Sequence, residues 1–390
     1  MRVLLAGGGT GGHIYPALAI ARALQERVER AEFLFVGTPR GLERELIPRE
    51  GFRLRLIQAR PLPRRLSLAL LGAGVAAAGA LVEAVGLVRE FKPDVVVGTG
   101  GYAAGPVVLA ALLLRRPAVL QEQNALPGLT TRLLAAWVDR VFLGYGEAQA
   151  RLPRRARTRV TGNPIRPHLL RVRREEGLAA LGLEGNRFTV IVFGASQGAH
   201  RINQAVLAAA EELGHTPGLQ VLALTGHKEY AQMAEELRRR GGAEQGEDWV
   251  RWGHLHLRPY LYEMGQGLAA ADLVVGRAGA LSLAEITAFG LPAILIPLPT
   301  AAEGHQDHNA RVLEQEGAAV RIPDGELTGR RLWEAVLSLM RDEPRRRRMA
   351  AASRRLGRPR AGEEIAEEIV RLVAERRRRG GGAEGGSKRS

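Results

Sequence analysis

The chain has no cysteine among its 390 residues. Disulfide bonds, cysteine-ligated zinc and thiol nucleophiles are therefore excluded. Aromatic residues are also scarce, at 5%, and no stretch interleaves basic with aromatic side chains as nucleic-acid-binding segments do. The sequence opens directly on a strand-like run, with no basic, apolar and small-residue signal peptide, which predicts a cytosolic protein.

Lysine is nearly absent, since the net charge of +15 is carried by arginine and the only lysines are Lys92, Lys228 and Lys388. Runs of arginine occur at 345–348 and 376–379. Such charge suits an anionic membrane surface or nucleic acid, and much of it is also compatible with a solvated surface. Because the aromatic partners of a nucleic-acid site are missing, we expect no nucleic-acid partner.

Only one long apolar stretch is present. Residues 66–88 carry a single charge, Glu83, and are about long enough to span a bilayer. The stretch is rich in alanine and glycine and lies between two parts of one α/β domain, so a true span would disrupt the sheet. We expect a helix partly buried against the sheet, with either no membrane role or an exposed apolar face that lies on a membrane. The arginines flanking that face are Arg60, Arg64, Arg65 and Arg89.

Short apolar runs alternate with helical segments along the whole chain, a pattern typical of parallel sheets covered on both faces. The pattern restarts after a polar, arginine-rich stretch at 162–187, which predicts a linker between two doubly wound domains. The predicted strands are 3–6, 33–36, 94–98, 118–121 and 140–143 in the first half, and 188–193, 220–225, 249–252, 272–276, 293–297 and 318–322 in the second.

Five glycines lie in the first strand-to-helix turn, and His13 then opens a helix predicted to run to residue 28. Glycines let backbone N–H groups approach a phosphate or another polar group. The helix N-terminus disfavours an imidazolium and keeps His13 neutral, as a base requires. Gly7, Gly9 and Gly12 also fit the dinucleotide-binding pattern, but the next strand, 33–36, is not followed by the carboxylate that would hold the ribose.

A second glycine turn, 194–198, follows the predicted strand 188–193. Two domains that each open in this way would face each other across a cleft, with ligands outside the carboxyl ends of the strands. The hydroxyl of Ser196 and the following helix N-terminus suit a phosphate. The same turn fits the nucleophile elbow of hydrolases. Its candidate acid and histidine partners would be Asp272, His305 and His308.

Six motifs occur in order: GGTGGH at 8–13, GGYAAGP at 100–106, EQN at 122–124, GNPIR at 162–166, SQGA at 196–199 and RAGALSLAE at 277–285. Together they resemble the MurG family of bacterial glycosyltransferases, over about residues 2–373. That family transfers N-acetylglucosamine (GlcNAc) from UDP-GlcNAc to the undecaprenyl-linked acceptor lipid I, which gives lipid II for peptidoglycan.

The resemblance implies an α/β GT-B fold, in which two Rossmann-like doubly wound domains flank a cleft. Residues 1–163 would bind the acceptor and the membrane, and 164–349 would bind UDP-GlcNAc. A helix at about 350–378 would pack back on the first domain, and 379–390 would be a disordered tail. The implied transfer inverts the anomeric carbon and needs no metal or cofactor. The protein would lie peripherally on the cytoplasmic face of the plasma membrane, against its anionic inner leaflet.

Carried onto the first half of this sequence, the resemblance makes His13 the general base and Glu122 a helper or a rival base. Asn124 would hydrogen-bond the transferred sugar, and Tyr102 would belong to the acceptor side. The residues that would contact the donor are Thr10, Gly11 and Gly12.

In the second half, Ser196 would take the diphosphate with Arg166 nearby, and Glu285 would hold the ribose diol. Leu261 would flank the uracil, and Gln306 would reach the donor sugar. The nucleotide-binding turn would be Ala280, Leu281, Ser282, Leu283 and Ala284. The sequence departs from the usual pattern at Gln121, Ala278 and Ser282. Another GT-B enzyme using a UDP-sugar, such as a glycolipid transferase or a UDP-GlcNAc epimerase, and a basic binding module without catalysis stay open as alternatives.

Overall fold

The computed structural model describes residues 1–59, 69–194 and 199–384 of the chain, without the side chains of 69–75, 302 and 379–384. These residues form two compact units. The first consists of Met1–Ile165 together with the described residues from Pro359 onward, and the second is Arg166–Arg358. Both are α/β units.

The described part of the first unit contains one seven-stranded sheet in which every neighbouring pair is parallel. Its strand order is β3-β2-β1-β4-β5-β6-β7, so the order reverses between β1 and β4. The strands are β1 (Arg2–Gly7), β2 (Glu32–Gly37), β3 (Arg53–Leu56), β4 (Val95–Gly100), β5 (Ala118–Glu122), β6 (Arg140–Leu143) and β7 (Thr158–Val160), and the helices are α1 (Gly11–Arg27), α2 (Glu43–Arg49), α3 (Ala69–Phe91), α4 (Gly101–Leu113) and α5 (Leu129–Leu134).

The central strands are apolar throughout because helices cover both faces of the sheet. In β1, Val3 and Leu5 pack with Ile14 and Ile20 of α1, whereas Leu4 and its neighbours on the other face pack with α3 and α4. The sequence identified these central strands. It missed β3 and β7, which are short, partly exposed edge strands without a continuous apolar run.

The apolar stretch at 66–88 is amphipathic where its side chains are described. Ala80, Ala84 and Val88 of α3 recur every four residues and are buried, and Val82, on the opposite face, is 72% exposed. Residues 60–68, which include most of the predicted flanking arginines, lie outside the described residues. Within the described ranges, no helix is long and apolar enough to cross a membrane.

The second unit repeats the doubly wound order, since its parallel strands run β12-β9-β8-β13-β14-β15 and the order reverses between β8 and β13. The predicted strand at 249–252 is one arm of an antiparallel hairpin rather than a parallel strand. The strands are β8 (Phe188–Phe193), β9 (Leu219–Leu224), β10 (Glu244–Gln245), β11 (Val250–Trp252), β12 (Leu255–Arg258), β13 (Leu273–Gly276), β14 (Ala293–Leu295) and β15 (Ala319–Arg321), and the helices are α6 (Arg174–Leu181), α7 (His200–Ala208), α8 (Ala210–His215), α9 (His227–Arg239), α10 (Met264–Ala270), α11 (Ala280–Phe289), α12 (His305–Gln315), α13 (Gly329–Arg341) and α14 (Glu343–Leu356).

The segment predicted as one returning helix at 350–378 is two helices in different units. Helix α14 belongs to the second unit, where Met349 joins the core and the Arg354 side chain packs against Gly290. The chain returns at Pro359, a residue that interrupts helices, and α15 (Ala361–Glu384) packs on α1. The tail predicted as disordered from residue 379 is helical as far as Glu384, and 385–390 lie outside the described residues.

Candidate active site

The site of the first unit lies outside the carboxyl ends of β1, β4 and β5, at the point where the strand order reverses. Helix α1 begins at Gly11, two residues earlier than predicted, with Thr10 as its N-cap. His13 is therefore the third residue of the helix. It lies on the first turn of α1, at the edge of the sheet.

The turn between β4 and α4 packs directly against His13 and the first glycine loop. A Cβ atom at Gly100 would lie 2.6 Å from His13 Nδ1, and a Cβ atom at Gly101 would overlap the carbonyl oxygen of Gly8. Both residues also have positive φ, +105° and +75°. Only glycine satisfies both the backbone conformation and the close approach, which explains the glycine pair in this motif.

The hydrogen bonds of His13 define its tautomer. Its Nδ1 lies 3.0 Å from the carbonyl oxygen of Thr99 and 2.9 Å from Oε1 of Gln123. Both partners are acceptors, so Nδ1 carries the proton and Nε2 of the neutral ring carries the lone pair. The ring is thus prepared to accept a proton at Nε2, which makes His13 competent as a general base.

Behind His13 lies a chain of buried amides that sequence reasoning did not identify. Gln123 Nε2 donates to the carbonyl oxygens of Thr99 (2.7 Å) and Gln121 (2.9 Å), and to Oε1 of Gln121. Gln121 Nε2 donates to Asn163 Oδ1 (2.9 Å), and Asn163 Nδ2 returns to the carbonyl oxygen of Gln123 (2.9 Å). These side chains come from positions as far apart as 13, 123 and 163, and only the fold brings them together.

Glu122 is buried, and donors occupy both of its oxygens. Oε1 accepts from the backbone N–H of Asn124 (3.1 Å) and from its side-chain amide (3.4 Å). Oε2 accepts from the N–H of Gly128 (2.9 Å) and from the hydroxyl of Thr131 (2.7 Å). The carboxylate therefore organises the loop that presents Asn124. This geometry favours a positioning role for Glu122 over that of a second base.

A second buried acid, Glu43, supports the first glycine loop and was not singled out from the sequence. Its Oε2 accepts from the N–H of Gly9 (2.8 Å), and its Oε1 accepts from the N–H and the hydroxyl of Thr38 (2.7 and 2.9 Å). Its side chain fills the space that Cβ atoms would need at Gly8 and Gly41. The glycines flanking this acid are the signal that could have identified it.

The remaining predicted residues of the first unit are accessible around His13. Thr10 and Gly12 are exposed, Gly11 is partly exposed, and Tyr102 on the first turn of α4 is 50% exposed. They belong to the same two turns as His13 and Gly100, so the structure brings the predicted residues of this unit to one edge of the sheet.

In the second unit, the structure brings Arg166 and Glu285 together. The Arg166 guanidinium lies 3.6 Å from Glu285 Oε1, and the Glu285 side chain is only 16% exposed. Burial raises the pKa of Glu285, and the charge and hydrogen bond of Arg166 oppose that rise. A carboxylate and a guanidinium side by side offer acceptors to a diol and donors to an anion.

Helix α11 supplies the predicted nucleotide-binding turn. It starts after Gly279, and no side chain caps it. The N–H groups at the start of a helix point outward from its axis and suit an anionic ligand. Leu281, Ser282 and Ala284 are partly exposed. Ala280, Leu283 and Leu261 are buried, at 8%, 1% and 8% exposure, and their side chains pack in the unit's interior.

The Gln306 side chain is held by backbone N–H groups of the two loops that follow β13 and β14. Its Oε1 accepts from the N–H of Ala278 (3.2 Å) and of Leu298 (3.0 Å), which leaves its Nε2 as the donor end. Beside it, the buried Arg277 donates to the carbonyl oxygen of Ile296 (3.1 Å) and pairs with Asp324. These contacts fix the loops that follow β13 and β14.

Ser196 lies outside the described residues. The position of Asp272 nevertheless argues against the hydrolase interpretation of this turn, for which Asp272 was the candidate acid. Asp272 precedes β13 at the amino-terminal end of the sheet, where it pairs with Arg174 (2.9 Å) and accepts from the N–H of Thr189 (2.8 Å). Thr189 is the second residue of β8, and the serine turn follows the opposite end of that strand, after Phe193.

No group of three or more histidine or acidic side chains within the described ranges is arranged to hold a metal ion.

Two protein-family models match the two halves of this chain. Residues 3–143 match the glycosyltransferase family 28 N-terminal domain, and 189–368 match the glycosyltransferase family 28 C-terminal domain. A crystal structure of MurG from Acinetobacter baumannii superposes with a TM-score of 0.73 at 25% identity, covering 95% of this chain and 99% of that one. A putative UDP-N-acetylglucosamine 2-epimerase from Listeria monocytogenes, 15% identical with a TM-score of 0.68, shares the fold.

The two parallel-sheet domains define a glycosyltransferase of the GT-B class, as the sequence predicted. Two relatives are close. The UDP-N-acetylglucosamine–N-acetylmuramyl-(pentapeptide) pyrophosphoryl-undecaprenol N-acetylglucosamine transferase of Moorella thermoacetica is 46% identical over 96% of this chain and 99% of its own length. The protein of the same name from Desulforamulus reducens is 42% identical over the same shares. The chain belongs to this transferase family, the MurG family.

Proposed function

We propose that this chain transfers GlcNAc from UDP-GlcNAc to the 4-hydroxyl of N-acetylmuramic acid in undecaprenyl-pyrophosphoryl-N-acetylmuramyl-pentapeptide, lipid I, and so forms lipid II for peptidoglycan. The observation that carries the proposal is the similarity to enzymes of that name over nearly the whole of both chains. The tautomer of His13 supports it independently, because the reaction needs a base at the acceptor hydroxyl.

In the proposed reaction, Nε2 of His13 removes the proton of the 4-hydroxyl as its oxygen attacks the anomeric carbon of GlcNAc. The new carbon–oxygen bond forms on the face opposite UDP. The bond from the anomeric carbon to the β-phosphate oxygen breaks, and UDP leaves with the electron pair. Inversion gives the β-1,4 linkage. Asn124, held by Glu122, would hydrogen-bond the transferred sugar, and Tyr102 would contact the acceptor.

The departing UDP carries the developing negative charge, which fixed dipoles and cations can stabilise. In the proposed donor site, Arg166 faces the diphosphate, and Glu285 accepts from the two ribose hydroxyls. Since the Leu261 side chain is buried, its backbone would flank the uracil, and Gln306 would donate to the donor sugar. Ser196 with its turn would take the diphosphate, and the other donor contacts would come from Thr10, Gly11, Gly12, Ala280, Leu281, Ser282, Leu283 and Ala284.

The proposal includes a peripheral position on the cytoplasmic face of the plasma membrane. An exposed apolar surface supports it: Leu129, Leu133 and Trp137 follow one another at intervals of four residues along α5 and the turn after it, with exposures of 47%, 61% and 63%. The guanidinium of Arg155 stacks 4.4 Å above the Trp137 ring. Aromatic, aliphatic and cationic groups in this arrangement suit the interface of an anionic membrane.

The decisive experiment incubates the full chain with labelled UDP-GlcNAc and a soluble lipid I analogue. We expect a β-linked disaccharide product and UDP release that depends on the acceptor. Conversion of UDP-GlcNAc to its 2-epimer without acceptor would favour the epimerase alternative, and transfer to a different glycolipid but not to the lipid I analogue would favour another transferase. Either result would overturn the proposal.

A further inference from the structure

The amide of Gln123 has only one orientation that satisfies its surroundings. On one side it meets two backbone carbonyl oxygens, those of Thr99 (2.7 Å) and Gln121 (2.9 Å). Backbone carbonyls only accept hydrogen bonds, so the NH2 group must face them. The oxygen of Gln123 therefore faces His13 Nδ1 at 2.9 Å, and it can only accept a hydrogen bond there.

From this geometry we propose that Gln123 is a positioning residue for the transfer reaction: its side-chain oxygen holds His13 with the proton on Nδ1, so that the lone pair is on Nε2. The inference rests on the base role proposed for His13. Gln123 does not touch the substrates in this assignment. It acts through the ring, which it orients together with the carbonyl oxygen of Thr99 at 3.0 Å.

The amide itself is held in place by its neighbours. Gln123 is 3% exposed, Gln121 2% and Asn163 4%, and Asn163 connects back to the Gln123 backbone. A Cβ atom at Gly144 would overlap the Asn163 amide, so the backbone of that loop closes over the network. The acceptor at Nδ1 is thus preorganised, and no reorganisation is required when the ring takes up a proton.

Proton uptake at Nε2 makes the ring a cation with its second proton still on Nδ1. The Gln123 oxygen and the Thr99 carbonyl then both point their negative ends at the charged ring and stabilise it. This benefit is greater in the transition state than in the ground state, because the charge develops only as the acceptor hydroxyl is deprotonated. Loss of Gln123 should therefore lower kcat rather than donor affinity.

The test is the variant Gln123→Met, which keeps the length of the side chain and removes its oxygen. We expect kcat to fall about 10- to 100-fold, by analogy with the loss of residues that orient metal-binding histidines. The Kd for UDP and the KM for UDP-GlcNAc should stay within about twofold. The matched control is Gln220→Met, since Gln220 is equally buried in the second unit and bonds Glu184 and Thr189. Its turnover should be retained.

A measurement on the unchanged chain makes the proposal independent of how the variant folds. Nitrogen-15 NMR of labelled histidine, with His13 assigned by its loss in His13→Ala, should show Nδ1 protonated and Nε2 unprotonated in the neutral ring. The opposite tautomer would overturn the inference, as would a folded Gln123→Met that turns over like wild type. Full turnover by His13→Ala would instead remove the proposed base, a result that the tautomer measurement distinguishes.

Discussion

The buried acids of the two units have different hydrogen-bond partners: uncharged donors around His13, and arginines around Glu285. In the first unit, Glu43 and Glu122 accept only from backbone N–H groups, hydroxyls and an amide, and neither has a cationic partner among the described residues. In the second unit, Glu285 pairs with Arg166, and Asp324 pairs with Arg277. The difference matches the chemistry proposed for each: a base that must pick up a proton, and a site for an anionic nucleotide.

A second contrast concerns the surface. Of the ten large apolar side chains that are exposed in the described ranges, nine belong to the first unit, and only Tyr262 belongs to the second. Solvent-exposed apolar groups that cluster on one unit indicate a contact surface, whereas single ones are ordinary. The unit that holds the proposed base therefore also holds most of the exposed large apolar side chains, which agrees with the lipid-linked acceptor proposed for it.

The largest effect is expected for the base. His13→Ala should lower kcat about 10²- to 10⁴-fold, because it removes proton transfer in the transition state. The affinity for UDP, measured by calorimetry, should change little if donor binding depends on the second unit. His254→Ala, in the turn between β11 and β12, serves as a control and should turn over normally. Unchanged kcat in His13→Ala would end the assignment of the base to the first unit.

The second prediction is a loss of donor affinity with little change in kcat, the opposite of the effect expected for His13→Ala. Glu285→Gln removes the charge that would hold the ribose diol, and hydrogen bonds to charged groups contribute about 1.5–3 kcal/mol. We expect the Kd for UDP and the KM for UDP-GlcNAc to rise roughly 10- to 100-fold, with a much smaller change in kcat. The exposed Glu316→Gln should behave like wild type. Loss of kcat with unchanged KM would contradict the division of tasks between the units.

The raised pKa of Glu285 adds a dependence on pH with a definite sign. Because the folded pKa of Glu285 is higher than its unfolded pKa, the protonated carboxyl contributes stability that is fully present below the unfolded pKa. Its contribution is lost as pH rises through the folded pKa. At neutral pH, Glu285→Gln should therefore have a Tm equal to or above that of wild type, by scanning calorimetry. A clearly lower Tm would mean that the ion pair with Arg166 outweighs burial.

Sequence reasoning identified the central strands, the first glycine turn and the family, because apolar runs and turn residues are local signals. It also placed Asn124 directly after a strand, and it named Arg166 and Glu285, which the structure brings together. The amide network escaped it, since Thr99, Gln123 and Asn163 look like ordinary polar residues until the ends of β4, β5 and β7 bring them together.

A further prediction tests whether the exposed apolar side chains of the first unit bind a membrane. The double variant Leu133→Glu with Trp137→Glu should weaken binding to phosphatidylglycerol vesicles at least about tenfold, as burial of one such side chain is worth about 1.5–3 kcal/mol. Turnover of a soluble acceptor should survive. Leu42→Glu, at a 39% exposed position of the same unit, is the matched control. Equal loss of vesicle binding in the control would mean that charge, not this apolar surface, governs the interaction.

The smallest effect on turnover is expected for a variant of Glu43. This variant tests whether the first glycine loop needs a carboxylate to accept from its uncharged donors. Glu43→Gln replaces one acceptor oxygen by an NH2 group that must face either Gly9 N–H or the donors of Thr38. One buried donor then lacks an acceptor, which costs about 1–3 kcal/mol in the free energy of unfolding by urea. Since the distorted loop carries Thr10 but not the ring contacts of His13, kcat should fall less than about tenfold. The exposed Glu26→Gln on α1 should be neutral in both measurements. A stability equal to wild type would mean that the carboxylate charge is not needed to hold the glycine loop.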